Sequence, residues 1–131
     1  MQISLFADYG LRTLVRLAAT PERLLTTYDI ATEFRISRHH LQKVVQALAN
    51  GRLVETVRGV GGGIRLAMPA THISLAQAIR VLEGDCDIVR CHGKDGDCLL
   101  LGQCRMKAYL EVGQAAFFKA LESVTLEKCV R

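Results

Sequence analysis

Residues 37–68 read SRHHLQKVVQALANGRLVETVRGVGGGIRLAM, and two periodicities meet inside them. In the first half, Leu41, Val44, Val45 and Leu48 fall at i, i+3, i+4 and i+7, the spacing of a helix with one apolar face. Ser37 is placed to cap its start, and Asn50-Gly51 is a C-terminal stop. That face buried, Arg38, His39, Gln42 and Lys43 are left pointing outward. The second half changes period: LVETV (53–57) and IRLAM (64–68) are strand-like runs joined by RGVGGG (58–63). A two-residue turn would have closed such a hairpin, so the longer glycine-rich tip is a wing. Gly61, Gly62 and Gly63 permit positive φ and close approach of the backbone to a ligand, with Arg58 and Arg65 flanking them.

Working outward, Thr26 opens a short helix with Asp29 three residues on, a capping-box pattern, running through Ile30, Ala31 and Phe34. A first helix is expected over 5–19, from Leu11, Leu14, Val15 and Ala18 and an Asp8–Arg12 pair at i, i+4, with Pro21 closing it. A short helix, a turn and a longer helix with a basic first turn make a helix-turn-helix, whose second helix enters the major groove. Pro69–His72 is a linker, and Ser74 with Gln77 starts a further helix that stops at Gly84. The longest helix is expected over 105–124, where Met106, Leu110, Gly113, Phe117, Ala120 and Val124 are spaced as an a/d seam requires. Such a seam packs either on its own subunit or on a second copy, and a winged-helix head reading paired half-sites points to a homodimer. The expected fold is mainly α with a small β-wing. A winged helix-turn-helix head over 1–70 precedes a cluster-binding loop over 85–104 and a dimerisation helix over 105–124, within a second unit of 71–131.

Charge supports the nucleic-acid reading. Between Arg35 and Arg65 there are six basic residues (Arg35, Arg38, Lys43, Arg52, Arg58, Arg65) and one acid, Glu55, whereas beyond residue 65 eight basic residues face eight acids. A basic block confined to one structural unit is the footprint of phosphate contacts. The expected partner is double-stranded DNA with a palindromic operator. Ser37, Arg38, His39, His40, Gln42 and Lys43 are the expected contacts on the helix, and Arg58, Gly61, Gly62, Gly63 and Arg65 those on the wing. Ser37 has a second role as a cap, and His40 an alternative in packing. No apolar run approaches the ~18 residues of a membrane span, and Asp8, Arg12 and Arg16 interrupt the N-terminal apolar residues, so a cytoplasmic location is expected. No phosphate loop, no nucleophile with a paired base and no catalytic acid pair is found, which argues against an enzyme.

The remaining chemistry lies in CHGKDGDCLLLGQC (91–104), a C-x6-C-x5-C pattern. Five cysteines in a reducing compartment do not make a disulfide framework, and thiolates crowded into a Gly- and Asp-containing loop suit iron or zinc. Zinc needs a fourth ligand, and His92 is poorly placed for it because adjacent Cys91 and His92 side chains diverge. An iron–sulfur cluster accepts three thiolates and one foreign ligand, and the iron so held is where nitric oxide or oxygen attacks first. Cys86 and Cys129 have no partner spacing and are expected to be small buried hydrophobes.

FADYGLR (6–12), ISRHHLQKVVQAL (36–48), VRGVGGGIRLAMP (57–69) and the cysteine loop together resemble the winged-helix iron–sulfur regulators of the IscR/NsrR family, and within it the nitric-oxide-sensing repressors. The resemblance implies that Cys91, Cys98 and Cys104 bind a 4Fe-4S cluster, with an aspartate near the start of the first helix as fourth ligand from the other subunit. Asp8 stands at that place; its reading without the resemblance is a helix-start acid paired with Arg12. The other branch supplies a histidine three residues after the last cysteine, where this chain has Lys107. The implied function is a transcriptional repressor that releases operators of nitric-oxide detoxification or denitrification genes. Alternatives are a sensor of iron–sulfur status or redox state with a 2Fe-2S cluster, a metal-free thiol–disulfide switch, and a cluster or metal carrier built on the same fold.

Overall fold

The computed structural model describes residues 2–84, 88–89, 98–100 and 103–130. Five helices and one hairpin are formed there: α1 Leu5–Ala18, α2 Thr27–Phe34, α3 Arg38–Asn50, β1 Val54–Val57, β2 Gly63–Leu66, α4 Leu75–Glu83 and α5 Met106–Glu122. The mainly helical fold with a two-stranded wing is the one expected. Cys86, Cys91, His92 and most of the expected cysteine loop lie outside the described residues.

Local chemistry explains the helix starts. The hydroxyls of Ser4, Thr26, Ser37 and Ser74 accept from the backbone N–H three residues on, so each helix from α1 to α4 begins with an orphan donor satisfied. At α2 the box is reciprocal, and the hydrogen bonds from the Thr26 hydroxyl and backbone N–H hold the Asp29 carboxyl below its ordinary value. The end of α3 is less local than the Asn50-Gly51 pair implies. Gly51 has an ordinary φ of −77°, and the left-handed residue is Arg52, with φ 57°. The Leu53 N–H then reaches back to the Leu48 carbonyl at 2.9 Å, closing a Schellman-type stop. Gly51 answers to packing instead, since a Cβ there would stand 2.4 Å from Cγ1 of Val81 on α4. Left-handed backbone is costly for any residue with a Cβ. Arg52→Gly is therefore expected to raise stability by about 0.5–1 kcal/mol, the gain being trimmed by the freer unfolded chain. A melt displaced upward by roughly 2–4 °C would show it, and an unchanged or lower Tm would contradict it.

The hairpin is antiparallel with Val54 opposite Leu66, Glu55 opposite Arg65, Thr56 opposite Ile64 and Val57 opposite Gly63. Leu25 adds a bridge on the far side of Ile64, their N–H and C=O groups exchanging bonds of 3.1 and 2.8 Å. The glycines at the tip divide by role. Gly59 and Gly61 hold positive φ (104° and 75°), whereas Gly62 and Gly63 lie where a Cβ would meet backbone, 2.3 Å from the Val57 carbonyl oxygen and 2.7 Å from that of Leu25.

One core serves the whole head. Leu14 and Leu17 of α1, Ile30 of α2, Leu41 and Leu48 of α3 and Ile64 of β2 are essentially inaccessible, each contributing about 1.5–3 kcal/mol by burial. That core continues past the boundary expected at residue 70, taking in Ile73, Ala78, Leu82 and Leu126. Gly10 explains how close α4 comes: a Cβ there would lie 2.3 Å from a methyl of Leu82. The Ser4 N–H also donates to Glu83 Oε1 at 2.6 Å, tying the start of α1 to the end of α4.

The structure does not single out the seam expected on α5, since Gly113 and Ala120 are exposed; the apolar residues of this helix divide between its two ends instead. Phe117, Phe118 and Leu121 pack on Ala76 and Ile79 of α4, and Arg80 covers the Phe118 ring at 4.4 Å. Met106, Tyr109 and Val112 remain 57%, 74% and 69% exposed. The Leu75 N–H to Val124 carbonyl bond (2.7 Å) and the Leu126 N–H to Ile73 carbonyl bond (2.9 Å) return the chain after α5 to the head.

Candidate nucleic-acid interface and cysteine site

The residues expected to meet DNA begin at the first turn of α3. The cap bond from His40 N–H to Ser37 Oγ (3.1 Å) fixes this turn, and Leu41, Val44, Val45 and Leu48 bury the opposite face. Arg38, His39, Gln42 and Lys43 are all exposed, as the periodicity requires. His40 is not: its ring is half-buried against Tyr9 (centroids 5.4 Å apart, edge-on) and Phe6 (6.4 Å) of α1. The ring thus packs on α1 with part of its surface still open.

The wing divides in a similar way. Arg58 is exposed at the tip, whereas Arg65, grouped with it on sequence, forms an ion pair with Glu55 directly across the ladder. Cross-strand register decides this, because opposite residues on one face of a hairpin are nearest neighbours. Of the six cations between Arg35 and Arg65, the other five are exposed and form no ion pair among the described residues. Outside this block Arg12, Arg16, Arg80 and Lys107 are each matched to a carboxylate, whereas Arg23, Arg105, Lys119 and Lys128 form no ion pair among the described residues. Between Arg35 and Arg65, then, five unpaired cations stand with one acid that is itself paired, a local field of the sign that attracts phosphate. Arg35 and Arg52 both hold left-handed backbone (φ 55° and 57°), so each carries a helix-ending turn as well as a charge.

Cys98 and Cys104 are free thiols, each half-buried, Cys104 lying two residues before α5. Cys129 is also free and half-buried, its thiol directed to the Thr125 carbonyl at 3.5 Å. Asp8 lies in the first turn of α1 and is partly exposed, with the Arg12 guanidinium 3.0 Å away, so the expected i, i+4 pair forms. No group of three or more potential metal ligands is assembled among the described residues. The donor set nonetheless suits a soft-metal centre: two accessible thiols, unbridged, and a carboxylate held only by a surface ion pair worth at most about 1 kcal/mol.

The profile of the Rrf2 family, described as iron-dependent transcriptional regulator, matches residues 3–131. The chain belongs to the Rrf2 family. It is 37% identical over 133 residues to the HTH-type transcriptional regulator NsrR of Oceanobacillus iheyensis, covering all of this chain and 90% of that protein. With the regulator of the same name from Geobacillus kaustophilus the identity is 38% over 128 residues, covering 96% and 87% of the two chains. Among solved structures, oxidised CymR of Staphylococcus aureus superposes with a TM-score of 0.76 at 28% identity, over 98% of this chain and 95% of that one. IscR of T. potens gives a TM-score of 0.78 at 25% identity, over 98% and 85%. The Rrf2 chain is thus a winged-helix transcriptional regulator, similar to NsrR along nearly its full length. Among the described residues, no helix is long and apolar enough to cross a membrane.

Proposed function

We propose that this Rrf2-family regulator is a cytoplasmic, homodimeric repressor that senses nitric oxide through an iron–sulfur cluster. The observation that carries the reading is the pair of free, half-buried thiols Cys98 and Cys104, in a chain so similar to regulators named NsrR. Cys91, Cys98 and Cys104 would hold a 4Fe-4S cluster, with Asp8 from the second subunit as the fourth ligand. When bound, the cluster supplies iron that nitric oxide attacks. What the chain itself does follows from Asp8. Its carboxylate is paired with Arg12 in the present structure, so taking up or giving up iron exchanges one partner for another in the first turn of α1. This turn is tied to α4 through Ser4 and Glu83, so the change is felt where the head meets the cysteine segment.

Pairing of two chains is supported by α5, whose exposed Met106, Tyr109 and Val112 recur at i, i+3 and i+6, too regular an apolar row to be left to water. A two-fold dimer would set the two α3 helices about one DNA turn apart, ~34 Å. Tyr109→Glu is expected to shift the protein to monomer in sedimentation and to weaken operator binding at least tenfold, on the order expected for losing a paired half-site. A variant that stays dimeric removes α5 from the interface.

The deciding experiment is iron and acid-labile sulfide per chain on protein prepared without oxygen, followed by nitric oxide titration with operator DNA present. About four irons per chain, with absorbance bleaching as DNA is released, is the expected result. A thiol–disulfide switch is the second reading. It is favoured by the same free thiols and by the likeness to a CymR structure described as an oxidised form. No iron, with operator binding governed by thiol oxidants, would establish it instead.

A further inference from the structure

We infer that His40 is a positioning residue that couples the first helix to the DNA-reading turn of α3, through its ring contacts with Phe6 and Tyr9. The inference rests on the proposed role of Asp8 and names the route by which a change there reaches DNA. Three observations converge on it. Phe6 and Tyr9 flank Asp8 in sequence and, three residues apart, share one face of α1, while Asp8 and Arg12 pair on another. His40 stands in the turn that carries Arg38 and His39, one turn before Gln42 and Lys43, so its ring position bears on the direction of all four exposed side chains. Among the described residues, every ring contact between α1 and α3 passes through His40.

Other contacts explain why motion would be transmitted rather than absorbed. Farther along α3, Val44 and Leu48 are fully buried in the core shared with α1 and hold that part of the helix in place. On its other side α1 meets α4 without slack, Gly10 against Leu82 and Ser4 against Glu83. The first two turns of α1 are thus held between the stem of the cysteine segment and the start of the recognition helix. The Thr13 hydroxyl donates back to the Tyr9 carbonyl at 2.8 Å, a bond within α1 that satisfies this buried hydroxyl. A rotation of α1 about its axis, such as a change of partner at Asp8 would favour, moves the Phe6 and Tyr9 rings across the His40 ring. The half-buried clasp accommodates this by tilting the first turn of α3.

The experiment measures operator affinity by fluorescence anisotropy for full-length protein with and without its cluster, in wild type, Tyr9→Ala, His40→Ala and His40→Phe, with a thermal melt of each. The readout is the ratio of the two affinities, for which allosteric couplings span about 5–150-fold. A ratio that collapses to near one in Tyr9→Ala and His40→Ala, and is kept in His40→Phe, is the expected pattern. Phenylalanine fills the clasp without a group to bind phosphate, so its behaviour separates packing from DNA contact. Equal weakening of both forms by His40→Ala and His40→Phe, with Tyr9→Ala unaffected, would make His40 a DNA contact and overturn the inference. So would ratios that stay at the wild-type value in all three variants. A wild-type ratio of one would instead sink the sensor reading, and the coupling with it.

Discussion

Cys104→Ser is expected to reduce iron bound by anaerobically prepared protein to background and to make operator binding indifferent to nitric oxide. The hydroxyl of serine stays protonated at neutral pH and is a hard, weak ligand, whereas iron–sulfur centres are held by soft thiolates. Cys104 is free, half-buried and two residues ahead of α5, so the substitution removes the proposed ligand without opening a cavity in the main core. The cluster-free melt should therefore move by less than about 1 kcal/mol in stability. Iron analysis and the melt together separate the two roles. Full iron content in the variant would remove Cys104 from the site, and a collapsed melt with full iron would make it structural. Cys129→Ser is the internal control: its thiol is engaged with the Thr125 carbonyl after α5, and iron content is expected to be unchanged.

The second large effect is expected from Arg38→Ala with Lys43→Ala. Both side chains are exposed on α3, and neither has an ion-pair partner among the described residues, so their loss costs the folded head little. On DNA the cost is large: contacts of this kind carry about 1–3 kcal/mol each where they reach base edges, so the pair should weaken operator binding on the order of 100-fold or more. The salt dependence tells which contact each makes. Two lost phosphate contacts reduce the slope of log K against log salt by about 1.8, whereas lost base contacts leave the slope and relax sequence preference. Operator binding titrated from low to physiological salt, on cognate and scrambled duplexes, measures both. Unchanged affinity would move the DNA-reading face away from the start of α3.

Much of this architecture was legible in the chain because its determinants are local. The caps at Thr26, Ser37 and Ser74 act over three residues, and the apolar face of α3 repeats within two turns, so the helix-turn-helix needs no distant partner to be read. The same holds for the wing, whose glycine-rich tip lies between two short apolar runs, and for Asp8 with Arg12, neighbours on one helix face. Charge segregation was legible too, but not its balance: only the ladder register shows that Arg65 is neutralised by Glu55 while Arg58 is not.

The sequence by itself determined the winged helix-turn-helix and the basic block, since each follows from residue type and short-range spacing. Tertiary structure alone decided the rest. It set the His40 ring against the rings of α1, put the left-handed turn at Arg52 rather than Gly51, and packed Phe117, Phe118 and Leu121 on α4 while leaving Met106, Tyr109 and Val112 bare. Each of these depends on a partner about 30 or more residues away, such as Tyr9 for His40 or Val81 for Gly51. Periodicity states which side chains share a face, but which face meets a neighbour is set by close packing of the assembled core.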